Sequence, residues 1–282
     1  MPEYATTART AEPKQNGWFL PREHGATAML LIPIVCAAIL AREWQWAELA
    51  TLTAAFAALA AKDPVVILAR QRFVWKQRHP ETSAALRWFA GWMTILVFSG
   101  LVLLTTRPFR PMLLMGTGVA VFSVLAIAVN VKNRQRSTLF QIASAAALTS
   151  SSLATGLSAT GVLATWCLWL WLLLAMQATA GILVVHARLD ARIAVRKPTA
   201  ASNQFRSASM VSLAVLFGAA VISAILGRHW IALALLVAVV GYGYDLLQQR
   251  SSAALQLPLK KVGQRALALS SLFAGLLIIG FW

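Results

Sequence analysis

"WFLPREHGATAMLLIP", residues 18–33, crowds Arg22, Glu23 and His24 against the start of an apolar run. The run continues to residue 41 without a charge and reads as a slightly short membrane span. Three ionisable groups at its mouth exceed what capping one helix end requires. Two readings stand. In one, Glu23 sits at the positive helix N-terminus and Arg22 meets lipid headgroups. In the other, the three rim a polar cavity, where His24 suits proton transfer, since an imidazole titrates near neutrality.

The rest of the chain agrees with a span here. Of 282 residues, 59% are hydrophobic and only 12% charged, with a mean hydropathy of +0.69. A soluble domain of this size has no room to bury so much apolar material, so the composition predicts an all-α polytopic membrane protein. About nine spans are expected, at 24–41, 47–68, 84–104, 111–129, 139–161, 163–185, 208–226, 230–246 and 265–281. Residues 1–17 are polar, contain no signal-peptide core and read as a disordered cytoplasmic tail; residues 18–282 read as a single transmembrane helical domain. Pro33 is expected to kink the first span. The fifth carries "SAAALTSSSLATG", 144–156, whose small residues let helices approach closely and predict a central position. Cys36 and Cys167 lie inside apolar runs and read as packing residues rather than as a disulfide.

The net charge of +16 would suggest nucleic acid in a soluble protein. Here the nine spans account for it. They place Arg42, Arg107, Arg110 and Arg228 on one side and the other 21 of the 25 basic residues on the opposite side. Such a bias predicts a cytoplasmic N-terminus and an outward C-terminus. The expected partners are therefore membrane lipids, not nucleic acid.

Four segments bring ionisable groups to the ends of spans on the basic side: residues 21–25, 61–80, 130–137 and 186–198. In the second, Asp63 and Arg70 fall two turns apart on one helix face if the helix runs through Pro64. An aspartate near the membrane is costly unless paired or wetted, so Asp63 either fastens two helices or lines a polar cavity. In the third, "NVKNRQRS", Lys132, Arg134 and Arg136 either grip a phosphate or form an ordinary positive-inside loop. In the fourth, His186 and Asp190 share a face at i, i+4, as a catalytic or metal-binding pair or as one that satisfies itself. Arg188 accompanies them on another face.

Two resemblances follow from these residues. "WFLPREHGATAMLLIP", with its "PREHG" centre, and the later "VVHARLDARIAVRK" resemble the YwiC-like family of bacterial membrane proteins. More distantly, the order of polar segments is similar to that of the UbiA superfamily of intramembrane prenyltransferases. That resemblance implies nine helices around a cytoplasm-facing cavity in which aspartates hold Mg²⁺ and Mg²⁺ holds a prenyl diphosphate. Laid on this chain, the first aspartate motif falls on Lys62, Asp63, Val66 and Arg70, and the second on His186, Asp190 and Ala194. Each keeps one aspartate, so Asp63 and Asp190 are the implied metal ligands. His24, Asp63, His186 and Asp190 are the implied catalytic groups. Arg22, Glu23, Arg70, Lys132, Arg134, Arg136 and Arg188 are the implied substrate-binding ones. With acids so depleted, direct clamping of a phosphate by arginine fits the residues present.

The sequence thus supports a UbiA-like protein that binds an isoprenoid or lipidic phosphate, with a prenyltransferase-type transfer as the implied reaction. The alternative is a non-enzymatic membrane protein of the same fold, a transporter or an assembly partner. Ionisable groups sit at span ends, with Gln177 the main mid-span polar side chain besides Ser and Thr, which disfavours solute transport. The four histidines form no mid-membrane pair that would hold a haem.

Overall fold

The structure is a computed structural model that describes residues 24–42, 44–77, 80–132, 137–196 and 204–282. Its elements are α1 His24–Ala41, α2 Trp46–Arg70, α3 Thr82–Thr106, α4 Phe109–Val131, α5 Thr138–Thr149 and α6 Ser151–Thr160. They continue as α7 Thr165–Arg196, α8 Gln204–Ile225, α9 His229–Gln248, the single turn α10 Ser252–Leu255, and α11 Leu259–Phe281. Among the described residues there is no strand, as expected where backbone groups must be satisfied without water. Seven helices are long and apolar enough to cross a membrane: α2, α3, α4, α7, α8, α9 and α11. The short α1 and the α5–α6 pair fill the two remaining expected spans.

Three details differ from the sequence reading. The expected span 139–161 is two helices, because Ser150 leaves helical register with ψ near −8° and starts a new helix at Ser151. α7 runs on to Arg196, eleven residues past the expected end at 185, because charged residues end the hydrocarbon core without ending a helix. α2 does pass through Pro64 and continues into a π-helical turn, Gln71–Trp75, which stops at Lys76 in the left-handed region, φ 52°.

Five elements close a ring. α1 packs on α5 and α6, α5 on α7, α7 on α9, α9 on α11, and α11 returns to α1, while α8 backs α7 and α9. The main core lies among α1, α7, α8, α9 and α11, with Phe273, Leu277, Leu235, Leu170 and Leu216 essentially sealed. α2, α3 and α4 form a second group that reaches the ring through α1 and α6. α2 meets its neighbours with small buried residues, Ala47, Ala50, Ala57, Ala60 and Ala61, which permit close approach. α3 and α4 bury almost nothing and present apolar side chains outward, as lipid-facing helices do. The small-residue stretch is central, as its composition predicts: Ser152, Thr155 and Ser158 are fully buried, and Ser151 Oγ donates to the Leu30 carbonyl of α1 at 3.0 Å.

Side-chain bonds between helix ends respect the alternation of spans. Arg70 joins the ends of α2 and α4, His186 joins the end of α7 to the start of α5, and Arg265 joins α11 to the end of α9. At the opposite rim, Arg42 bonds the Trp282 carbonyl at 2.7 Å and stacks over its ring, and Arg107 bonds Gln45. Among the described residues, Arg70, His186 and Arg265 therefore share one rim of the bundle, opposite Arg42 and Arg107.

Candidate functional site

The ring of α1, α5, α7, α9 and α11 is not filled. A cleft of about 200 Å³ opens among these five helices, with largely apolar walls that include Met29, Ile182, Val185 and Val262. Gly181 makes part of this room: a Cβ there would lie 2.8 Å from Tyr242 Oη, so only glycine lets that hydroxyl lie against α7.

The deep end is polar. Gln177 on α7 uses both hydrogens of Nε2, donating to Tyr242 Oη at 2.6 Å and to Ser270 Oγ at 2.9 Å. Gln177 is 4% exposed and Tyr242 3%, so this triad of α7, α9 and α11 lies in the middle of the bundle.

The rim end is charged. Arg188 lines the cleft at 3% exposure. One guanidinium nitrogen donates to the Ala254 carbonyl, while Nε has no hydrogen-bond partner among the described residues. Asp245 lines the same end and faces the charges of Arg265 and Arg188. Two cations against one carboxylate leave the rim positive, which suits an anion. Gln249 closes this end by donating to the Val184 carbonyl at 3.1 Å. Arg192 lies outside the cleft and donates from Nε to the Leu255 carbonyl at 2.6 Å and from Nη2 to the Leu257 carbonyl. With Arg188, it ties the turn between α9 and α11 to α7.

The expected site residues divide into groups. Arg188 lines the cleft, and His186 reaches it indirectly: its Nε2 donates to Oε1 of Gln141, a lining residue, at 2.9 Å. The His186 ring also stacks on Phe205, with centroids 5.0 Å apart. Asp190, one turn further on, is half-buried, and its Oδ2 has no hydrogen-bond partner among the described residues. Asp63, Arg70 and Lys132 belong to α2 and the end of α4, which do not line the cleft. Asp63 is half-buried and engaged by a neighbour. Arg70 donates to the Asn130 carbonyl at 2.7 Å, which fastens α2 to α4, and Lys132 is exposed. His24 begins α1, but its side chain, together with Arg22, Glu23, Arg134 and Arg136, lies outside the described residues.

A Mg²⁺ cluster of the kind the UbiA resemblance implies needs several oxygen ligands in one place. Asp63 and Asp190 stand on helices of different groups, and among the described residues no three His, Cys, Asp or Glu side chains come together. These described residues do not fit the metal.

The sequence reading did not single out Tyr242, Asp245, Gln249 or Ser270. One signal was available: Asp245 is one of three aspartates in the chain and stands at the basic end of a span, where a charge is costly.

Residues 20–156 match the family model described as YwiC-like protein, which covers α1 to α5, the first part of α6 and a little under half of the chain. No curated protein and no solved structure matches. The helices α7, α9 and α11, which carry the triad and Arg188, fall outside the matched segment.

Proposed function

We propose that this chain, a YwiC-like multi-pass membrane protein over its matched residues 20–156, binds the phosphate of an isoprenoid or other lipid at the basic rim and the adjoining hydrocarbon in the cleft. The observation that carries the reading is Arg188. It is buried, lines an apolar cleft, and keeps an Nε donor without a protein partner among the described residues. A buried guanidinium with a spare donor is costly unless something anionic meets it, and phosphate suits its planar donor set. Asp245 and Arg265 hold the guanidinium's surroundings when no ligand is bound, and an entering phosphate exchanges part of that field for its own.

The reading takes the basic rim as cytoplasmic from the charge bias, and the membrane as the bacterial inner membrane from the YwiC-like resemblance. Group transfer is carried only by the UbiA resemblance. His186 and Asp190 are the proposed proton-handling groups nearest the cleft, His24 and Asp63 are proposed for the α1–α2 side, and Arg22, Glu23, Arg70, Lys132, Arg134 and Arg136 are proposed to draw the headgroup to the rim.

Native mass spectrometry of the purified protein with geranyl and farnesyl diphosphate, with and without Mg²⁺, tests the reading. Wild type is expected to bind without Mg²⁺, and Arg188→Gln to bind about tenfold more weakly or worse, the cost of one charge-assisted hydrogen bond. Arg110→Gln, at the opposite rim, is expected to bind as wild type does. Release of diphosphate in the same incubation would report transfer. Wild type that binds neither diphosphate would favour the non-enzymatic alternative.

A further inference from the structure

We propose that the deep end of the cleft binds an uncharged oxygen, the hydroxyl or carbonyl of a lipophilic molecule, through Gln177, Tyr242 and Ser270. Counting hydrogens leads there. Gln177 spends both amide hydrogens on the two hydroxyl oxygens, which leaves its carbonyl oxygen as an acceptor. Tyr242 and Ser270 each accept one of those hydrogens and keep their own to donate. One hydroxyl hydrogen can be shared between the pair; the other has the cleft to donate into. The triad therefore offers one acceptor and one donor to whatever occupies the space that all three residues line. Turning the amide over exchanges these roles and still leaves both kinds of group. A hydroxyl answers both, and a carbonyl answers the donor.

A bare isoprenoid chain does not fit this place. If a phosphate sat at Arg188 and only hydrocarbon ran inward, the free valences of buried Gln177 and Tyr242 and half-buried Ser270 would face carbon. Gln177 and Arg188 stand eleven residues apart on α7, roughly 16 Å along a helix axis. A volume of about 200 Å³ holds about ten non-hydrogen atoms at protein packing density. The deep end thus suits a small oxygen-bearing lipophile, and it does so whether or not a phosphate binds at the rim.

Geraniol and its matched hydrocarbon, 2,6-dimethyl-2,6-octadiene, separate the two cases. In native mass spectrometry with the full chain in detergent, wild type is expected to prefer geraniol about tenfold, the worth of one well-made hydrogen bond in a buried site. Tyr242→Phe, which keeps the ring and removes only the hydroxyl, is expected to abolish most of that preference, and Gln177→Leu all of it. Arg110→Gln, at the opposite rim, is expected to leave it intact. Equal binding of the two probes by wild type would overturn the inference, as would a preference that survives Tyr242→Phe in folded protein. Geranyl diphosphate, run alongside, keeps the two readings apart. If it fails to bind while the geraniol preference holds, the phosphate reading falls and the triad site stands.

Discussion

Gly181 shows how finely single residues set the cleft. A Cβ at this position would sit 2.8 Å from Tyr242 Oη and 3.2 Å from its Cζ, so the ring has to withdraw from Gln177. Gly181→Ala is expected to cost about 1–3 kcal/mol, the range for overpacking a well-fitted interior, and to lower the melting temperature in detergent. Gly243, two residues past Gly241 on α9, would meet nothing within 4 Å, so Gly243→Ala should hold or raise the melting temperature through helix propensity alone. An unchanged melting temperature for Gly181→Ala would mean that Tyr242 is not pinned against α7. The sequence made Arg188 and His186 legible because charges at the end of an apolar run stand out. Asp245 and Tyr242 were hidden because their partners come from α7 and α11, and no second acid stands one turn away to mark a motif.

At the scale of elements, the bilayer did most of the work. Span positions were legible because a fixed hydrocarbon thickness demands runs of similar length: seven expected spans coincide with helices long enough to cross, while 24–41 meets the shorter α1 and 139–161 the broken pair α5 and α6. Helix ends were less legible, because hydropathy marks the membrane boundary and says nothing about where hydrogen bonding stops. α7 is the case in point. Its last three turns leave the expected span, and their arginines grip the carbonyls of Ala254, Leu255 and Leu257, so the helix becomes a strap for the α9–α11 turn. Arg192→Ala removes two of these bonds and leaves the Arg188 contact in place. If the pair contributes about 1.5 kcal/mol to keeping the turn closed, trypsin should cleave after Lys260 and Lys261 about tenfold faster than in wild type. Arg250→Ala, at an exposed position in the same connection, controls for the loss of a charge and should leave the rate at those lysines unchanged. An unaltered rate in Arg192→Ala would show that the turn is held by packing rather than by the arginine.

For the whole molecule, the ring and the charge bias make one statement. Five elements enclose a cleft whose charged end lies at the rim where the described residues place Arg70, Arg188, Arg192 and Arg265, while Arg42 and Arg107 make their bonds at the opposite rim. By the positive-inside rule, the 21:4 bias expected from the sequence predicts a cleft that opens to the cytoplasm. Single cysteines can read this directly, because Cys36 and Cys167 are 1% and 0% exposed and give little background. Arg228 and Lys260 are exposed at opposite rims, and replacing either leaves the bias almost unchanged, so the variants should keep the native orientation. A membrane-impermeant maleimide is expected to label Arg228→Cys on intact cells, and Lys260→Cys only after the membrane is opened. The reverse pattern would turn the cleft outward and remove its access to phosphates made in the cytoplasm. Labelling of both variants on intact cells would break the alternation of spans on which the shared basic rim depends.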